Sequence, residues 1–171
     1  MSFRQSQPSR LRTRLFAVLL IAAIALMSVH LVATYRADQA ARAAAGSVKL
    51  ASVTFPLHAS DDLRGMNVFL EVSNPTAEPV EVTLSQVNAR GGEQELGLLN
   101  WVGEPILTVP AQGDQRVQGR RNVWQNVFSA WQEQGAVDIV VAGTIEASAD
   151  VFWVTAEHQQ SFELSTDVHF F

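Results

Sequence analysis

The chain has 171 residues and a formal net charge of −5, with hydrophobic residues at 47% and no cysteine. That length holds one ordinary domain plus an appendage; without thiols there can be no disulfide, thiolate metal site or cysteine nucleophile. Arg4, Arg10, Arg12 and Arg14 precede the first apolar run, leaving the other 8 of the 12 basic residues against all 17 acidic ones, an acidic remainder that argues against nucleic-acid binding.

The first element is "LFAVLLIAAIALMSVHLVA", 15–33, in which only Ser28 and His30 are polar. As a helix it spans roughly 28 Å, close to the ~30 Å hydrocarbon core of a bilayer. Four arginines precede it, and Arg36, Asp38 and Arg42 follow. The positive-inside rule then puts the N-terminus in the cytoplasm and the body outside, in the periplasm or the extracellular space. A cleaved signal peptide is the alternative, with small residues near "ARAAAG", but the apolar stretch exceeds the usual h-region. His30, near the outer end, reads as an interfacial residue.

"YRADQAARAAAG", 35–46, is alanine-rich, which favours helix. Asp38 and Arg42 are spaced to pair on one helical face, and Gly46 is a stop signal. The expected plan is a basic cytoplasmic tail over 1–14, an anchor over 15–35, a helical stalk over 36–47 that lifts the body off the membrane, and the body over 48–171.

After Gly46 the apolar period changes from helical to two. "VKLASVTFPLH", 48–58, reads as a first strand, with Pro56 suited to an edge or a bulge. "DDLRG", 61–65, reads as a loop. In "MNVFLEV" Val68, Leu70 and Val72 share one face, and in "VEVTL" Val80, Val82 and Leu84 do, the alternation of antiparallel strands with one face on a core. Asn74-Pro75 between them is a turn starter, since the Asn side chain bonds nearby backbone and Pro fixes φ.

"ARGGEQELG", 89–97, holds a Gly-Gly turn. "PILTVP", 105–110, is a short strand, and "AQGDQ", 111–115, a turn. "VWQNVFSAWQEQ", 123–134, carries Val123, Trp124, Val127, Phe128 and Trp131 at helical spacing, with Asn122 as N-cap and Gly135 as C-terminal cap. "VDIVVAGTIEA", 137–147, is a strand in which Gly143 shares the apolar face of Val137, Ile139, Val141 and Ile145, so something packs close there or the strand bulges. "DVFWVTAEH", 150–158, and "SFELSTDVHFF", 161–171, complete the pattern. The fold expected is an all-β, antiparallel, immunoglobulin-like or fibronectin-like β-sandwich of about seven strands with one short helix, behind a single N-terminal transmembrane helix.

The order of these elements resembles the late embryogenesis abundant type 2 domain, also called the water stress and hypersensitive response domain. The resemblance covers about 48–171. It lies in "LEVSNPTAEPVEVTL", "ILTVPAQGDQ", "WQNVFSAWQEQGAVDIVVAGTIEA" and the closing strand "SFELSTDVHFF". The stretch "LGLLNWVGEP" departs from it, with more tryptophan and glycine than the family pattern. The resemblance implies a seven-stranded sandwich, no catalysis, and a role in stress tolerance or membrane-associated protection. Asn74, Pro75, Val109, Pro110 and Gly143 match its motifs and are expected to be structural.

Little in the chain points to chemistry. His30, His58, His158 and His169 form no close pair on a helix face and join no cysteine, short of the three or four converging ligands of a zinc site. His158 and His169 are the pair that adjacent strands would bring closest. Asp61-Asp62 lacks the ligand loop that calcium needs. No serine sits in Gly-x-Ser-x-Gly, and no cofactor is expected. Trp101, Trp124, Trp131 and Trp153 are the candidate contacts for an apolar ligand or for lipid, against the plainer reading that they fill the core. Trp124 and Trp131, seven apart, are expected to pack on the sheet from one helical face. Arg120-Arg121 reads as a solvated turn, with an anionic lipid head or a partner carboxylate as the functional alternative. The expected partners are a membrane and a partner protein or apolar ligand.

Overall fold

The computed structural model describes residues 10–56, 62–103 and 106–170. Among these residues it contains two helices and nine strands. Helix α1, Arg10–Ala45, is followed by β1 Lys49–Thr54, β2 Leu63–Asn74, β3 Val80–Gly91, β4 Gln94–Leu98, β5 Asn100–Val102, β6 Ile106–Val109, β7 Gly113–Trp124, helix α2 Gln125–Gln134, β8 Ala136–Val151 and β9 Val154–His169. All pairings are antiparallel. One sheet has the order β1-β2-β7-β5, and the other β4-β3-β8-β9, with β6 beside β3.

The two sheets share one core, an antiparallel β-sandwich. Met66, Val68, Leu70 and Val72 of β2 meet Val80, Val82 and Leu84 of β3 and Val137, Ile139, Val141 and Ile145 of β8, all buried. The period-two faces predict this packing, because alternate side chains of a strand point to one side.

Strand number differs from the expected seven. β4, β5 and β7 are additional; of the two last predicted segments, Asp150 and Val151 end β8, Phe152 and Trp153 form a turn, and Val154–His169 is one unbroken strand, β9. β7 is central to its sheet yet reads as polar: "GDQRVQGRRNVW" buries only Val117, Gly119 and Val123. At Gly119 a Cβ would come within 2.9 Å of the Leu99 side chain and 3.2 Å of Trp101, so the residue is small because β5 and its approach pack over it. Leu63–Gly65, expected in a loop, begins β2 by pairing with Asn122–Trp124.

The same pairing corrects the start of α2. Asn122 lies in β7, and Trp124 is the N-cap residue without a side-chain cap bond; the Gln125 N–H instead donates to the Asp62 carbonyl at 2.9 Å. Gly135 ends the helix as expected, left-handed at φ 79°, with its N–H on the Gln132 carbonyl.

The apolar helix and the expected stalk are one element of 36 residues, roughly 54 Å long. It contains a span long and apolar enough to cross a membrane, lying within Thr13–Ala45. The Asp38–Arg42 pair forms at 2.9 Å. The expected stalk packs against the body. Ala33, Ala37, Ala40, Ala41 and Ala44 are completely buried, at the spacing of one helical face. Ala33 and Ala37 pack with Val151, Val154 and Ala156, and Ala40, Ala41 and Ala44 join the main core.

β8 pairs with β9 without a register shift over its whole length, so Ala147, Ala149 and Val151 share the core-facing side of Ile139 and Ile145. At 16 residues each, the two strands are roughly 50 Å long. Over the end of this hairpin, α1 packs where the opposite sheet would otherwise lie. Alanine against alanine and valine lets helix and strand backbones approach closely.

Candidate functional site

The motif residues at the β2–β3 connection come together around one side chain. Among the described residues Asn74 is the buried polar one, at 1% exposure. Its Nδ2 donates to the Glu78 carbonyl at 2.7 Å and the Pro110 carbonyl at 3.2 Å, with the Val109 carbonyl at 3.4 Å; its Oδ1 accepts from the Thr76 N–H at 3.1 Å and the Thr76 hydroxyl at 2.7 Å. A buried amide is tolerated because its polar atoms are paired. β2 and β3 belong to different sheets, so Ser73-Asn74-Pro75 is a crossover between layers, and Asn74 ties it to the end of β6.

The crossover also holds α1. The Ser47 hydroxyl, just beyond the helix, accepts from the Ser73 N–H at 3.0 Å and lies in hydrogen-bond reach of the Ser73 carbonyl. Arg36 pairs with Glu78. Ser73 and Glu78, on either side of Asn74-Pro75, thus tie the helix to the crossover, and Asn74 ties the crossover to Val109 and Pro110.

Gly143 serves a different close approach. A Cβ there would lie 2.7 Å from Val87 Cγ2 and 2.9 Å from Val87 Cα. Opposite it β3 shifts register between Ser85 and Asn88, with Gln86 left-handed at φ 52°. The sequence leaves a bulge or a close neighbour open; both occur, with the bulge in the partner strand.

The four tryptophans lie in four settings. Trp131 is buried on α2 over Gly91, where a Cβ would meet its ring at 2.5 Å. It joins Phe55, which also stacks with Phe128 and Phe170. Trp101 is half-buried over Gly119. Trp124, expected on the helical face with Trp131, stands exposed at the end of β7, because chain pairing with Leu63 keeps it in the strand. Trp153 is exposed at the β8–β9 tip. They do not assemble one aromatic lining.

An open groove of about 500 Å³ runs along Leu63, Asn100, Arg120, Arg121, Asn122 and Trp124. Arg120 and Arg121 belong to β7 and not to a turn, since Asn100 and Met66–Asn67 pair with them. Arg121 reaches the Leu98 carbonyl at 3.4 Å, while its Nε and that of Arg64 are buried without a partner. The guanidinium of Arg64 lies 4.8 Å from the Phe128 ring centre, a cation–π distance.

His158 and His169 sit on the same strand at an odd spacing, so they point to opposite faces and do not converge. No group of three His, Asp or Glu placed to hold a metal occurs among the described residues. His58 and Asp61 lie outside the described residues.

The β8–β9 tip was not singled out by sequence beyond Trp153. Its two turn residues are Phe152 and Trp153, exposed by 74% and 57%. Phe152 is left-handed at φ 56°, a conformation costing a residue with a Cβ about 1–2 kcal/mol. Two-residue hairpin turns favour Asn-Gly for this reason. The Trp153 indole N–H donates to Nδ1 of His30 on α1 at 3.2 Å. The readable signal is two aromatics where a turn calls for Asn or Gly.

No family model matches the chain, and no curated protein matches it. Among solved structures, a crystal structure of a protein from Archaeoglobus fulgidus is similar at 12% identity and a TM-score of 0.40, covering 72% of this chain and 94% of that one. A solution structure from Arabidopsis thaliana is similar at 12% identity and 0.38, covering 70% and 80%. A crystal structure of a Bordetella pertussis protein is similar at 14% identity and 0.42, covering 69% and 90%.

Proposed function

We propose that this chain is a membrane-anchored, non-catalytic domain of the late embryogenesis abundant type 2 kind, acting at the membrane surface in protection against desiccation, cold or osmotic stress, or in a structural role there. The observation that carries the reading is the alanine face of α1 buried against β8 and β9. A sandwich clamped to its own anchor works within its own thickness of the bilayer and does not roam on a flexible linker. The four N-terminal arginines orient the anchor with its N-terminus in the cytoplasm and the sandwich outside. The motif set supports the family reading, since Asn74 bonds the carbonyls of Val109 and Pro110.

The test is retention of a trapped dye by vesicles carrying the full chain, after drying and rehydration or freezing and thawing. Vesicles with the chain should leak less than vesicles with an equal mass of an unrelated single-pass protein. Equal leakage would remove the protective reading.

A second reading is an extracytoplasmic module that holds a partner protein or an apolar ligand. Exposed Trp124 beside Arg120 and Arg121 in the open groove favours it. A stoichiometric partner cross-linked from detergent-solubilised membranes, and lost with Trp124→Ala, would support it; a partner unaffected by that change would count against the groove.

A further inference from the structure

The β8–β9 tip carries more than a hairpin needs. Phe152 and Trp153 present two large, mostly exposed rings, 5.8 Å apart, at the point of the molecule where a turn ordinarily carries small polar residues. Phe152 does so in a left-handed conformation that a bulky side chain disfavours. Exposed apolar area and backbone strain together at one tip indicate a site of contact with something apolar.

The location of the tip identifies the occupant. Trp153 is bonded to His30, three residues inside the end of the apolar run at Ala33, roughly 4–5 Å along the helix. From Leu15 to Val32 every helix side chain is exposed, whereas burial against the sandwich begins at Ala33. The tip therefore lies alongside the outer end of the same apolar surface that would face lipid. Behind it, Val151 and Val154 pack on α1 while the exposed face turns polar, where Thr155 donates to Asp150 at 2.5 Å across the hairpin. On the helix Tyr35 is exposed, and Arg36, Asp38 and Arg42 follow. An aromatic level between an apolar zone and a charged one is the pattern of a membrane–water interface, where Trp and Tyr rings concentrate.

We infer that the Phe152-Trp153 tip is a second membrane contact, seated in the interfacial layer of the leaflet on the side of the sandwich, so that the domain is held to the bilayer at two points. This rests on the reading of α1 as an anchor. The bond to His30 sets the depth of the tip, and the packed alanine face sets its orientation.

The chain lacks cysteine, so single labels test this directly. The full chain in lipid bilayers is labelled with an environment-sensitive fluorophore at Phe152→Cys, at Ile24→Cys in the apolar run, and at Glu146→Cys on the exposed face of β8. Nitroxide lipids then quench near the headgroups or near the midplane. The result expected is strong headgroup-level quenching and a blue-shifted emission at position 152, midplane quenching at 24, and neither at 146. Quenching at 24 with position 152 behaving like 146 would overturn the inference and leave the anchor standing. An unquenched label at 24 would overturn the anchor reading and this inference with it. Phe152 is exposed, so its replacement does not threaten the core, and it leaves the Trp153–His30 bond that sets the depth in place.

Discussion

The indole N–H of Trp153 reaches Nδ1 of His30 across 123 residues of sequence, at 3.2 Å. It joins the far tip of the longest hairpin to the apolar part of the N-terminal helix. Between this bond and the Ser47–Ser73 bond at the other end lies the buried alanine face, so helix and sandwich are joined along roughly the length of the expected stalk.

That joint has a mutational signature. Ala37 is fully buried between α1 and the hairpin, whereas Val32 is 54% exposed. Ala37→Leu overpacks the contact and should cost about 1–3 kcal/mol. Val32→Leu should stay within about 0.5 kcal/mol. Chemical unfolding of the full chain in detergent, with hydrogen exchange on β8 and β9, checks both. Equal stability for the two variants would mean the alanine face is not packed.

Asn74 should be the most costly of the crossover residues. Asn74→Ala strands the Thr76 N–H, leaves the Thr76 hydroxyl only the Glu78 carbonyl at 3.3 Å, and frees the Pro110 carbonyl, for a loss of about 1–3 kcal/mol. Pro75→Ala acts chiefly by loosening the unfolded chain and should cost about 1 kcal/mol or less. Melting temperatures of the two variants decide this; a larger loss for Pro75→Ala would contradict the role given to the Asn74 side chain.

Two tryptophans seven residues apart should behave oppositely. Trp131→Ala empties a buried site over Gly91 and should cost about 3–5 kcal/mol. Trp124→Ala removes a ring that is 62% exposed and should change stability by no more than about 0.5 kcal/mol. Denaturant midpoints measure the contrast.

Much of the sandwich is legible in the sequence where one strand face is buried and the other wet. Val68-Leu70-Val72, Val80-Val82-Leu84 and Val137-Ile139-Val141 announce β2, β3 and β8 through their alternation, and these strands form the core. β7 escapes because its core side offers Val117, Gly119 and Val123 with Arg121 among them, and no run of apolar residues marks it. The start of α2 is misplaced because Val123 and Trp124 satisfy helical spacing while long-range pairing with Leu63 and Arg64 keeps them extended. The alanines at 33–44 show helix propensity, but alanine is equally at home exposed or buried, so their packing partner is invisible until β8 and β9 are placed. Asn74 is legible as a turn residue; its reach to Val109 and Pro110 depends on where β6 falls. Phe152 is hidden for another reason: aromatic residues read as strand, and here they form the turn.

Gly143 gives a coupled test. Gly143→Ala puts a Cβ within 3 Å of Val87 and should cost about 1–3 kcal/mol. Val87→Ala alone should also destabilise, as Val87 is 2% exposed. Because the two side chains share one space, the double variant should lose less than the two single losses added. Strict additivity in a thermal-melting cycle would show that the bulge relaxes independently.

The buried alanine face makes sandwich and apolar helix one rigid body. This rigidity is tested most directly by the distance distribution between spin labels at Ile24→Cys and Glu146→Cys, measured by pulsed electron resonance on the full chain in lipid nanodiscs. A single narrow distribution is the result expected from the buried alanine face and the Trp153–His30 bond. A broad distribution, as from a body swinging on a free stalk, would contradict it.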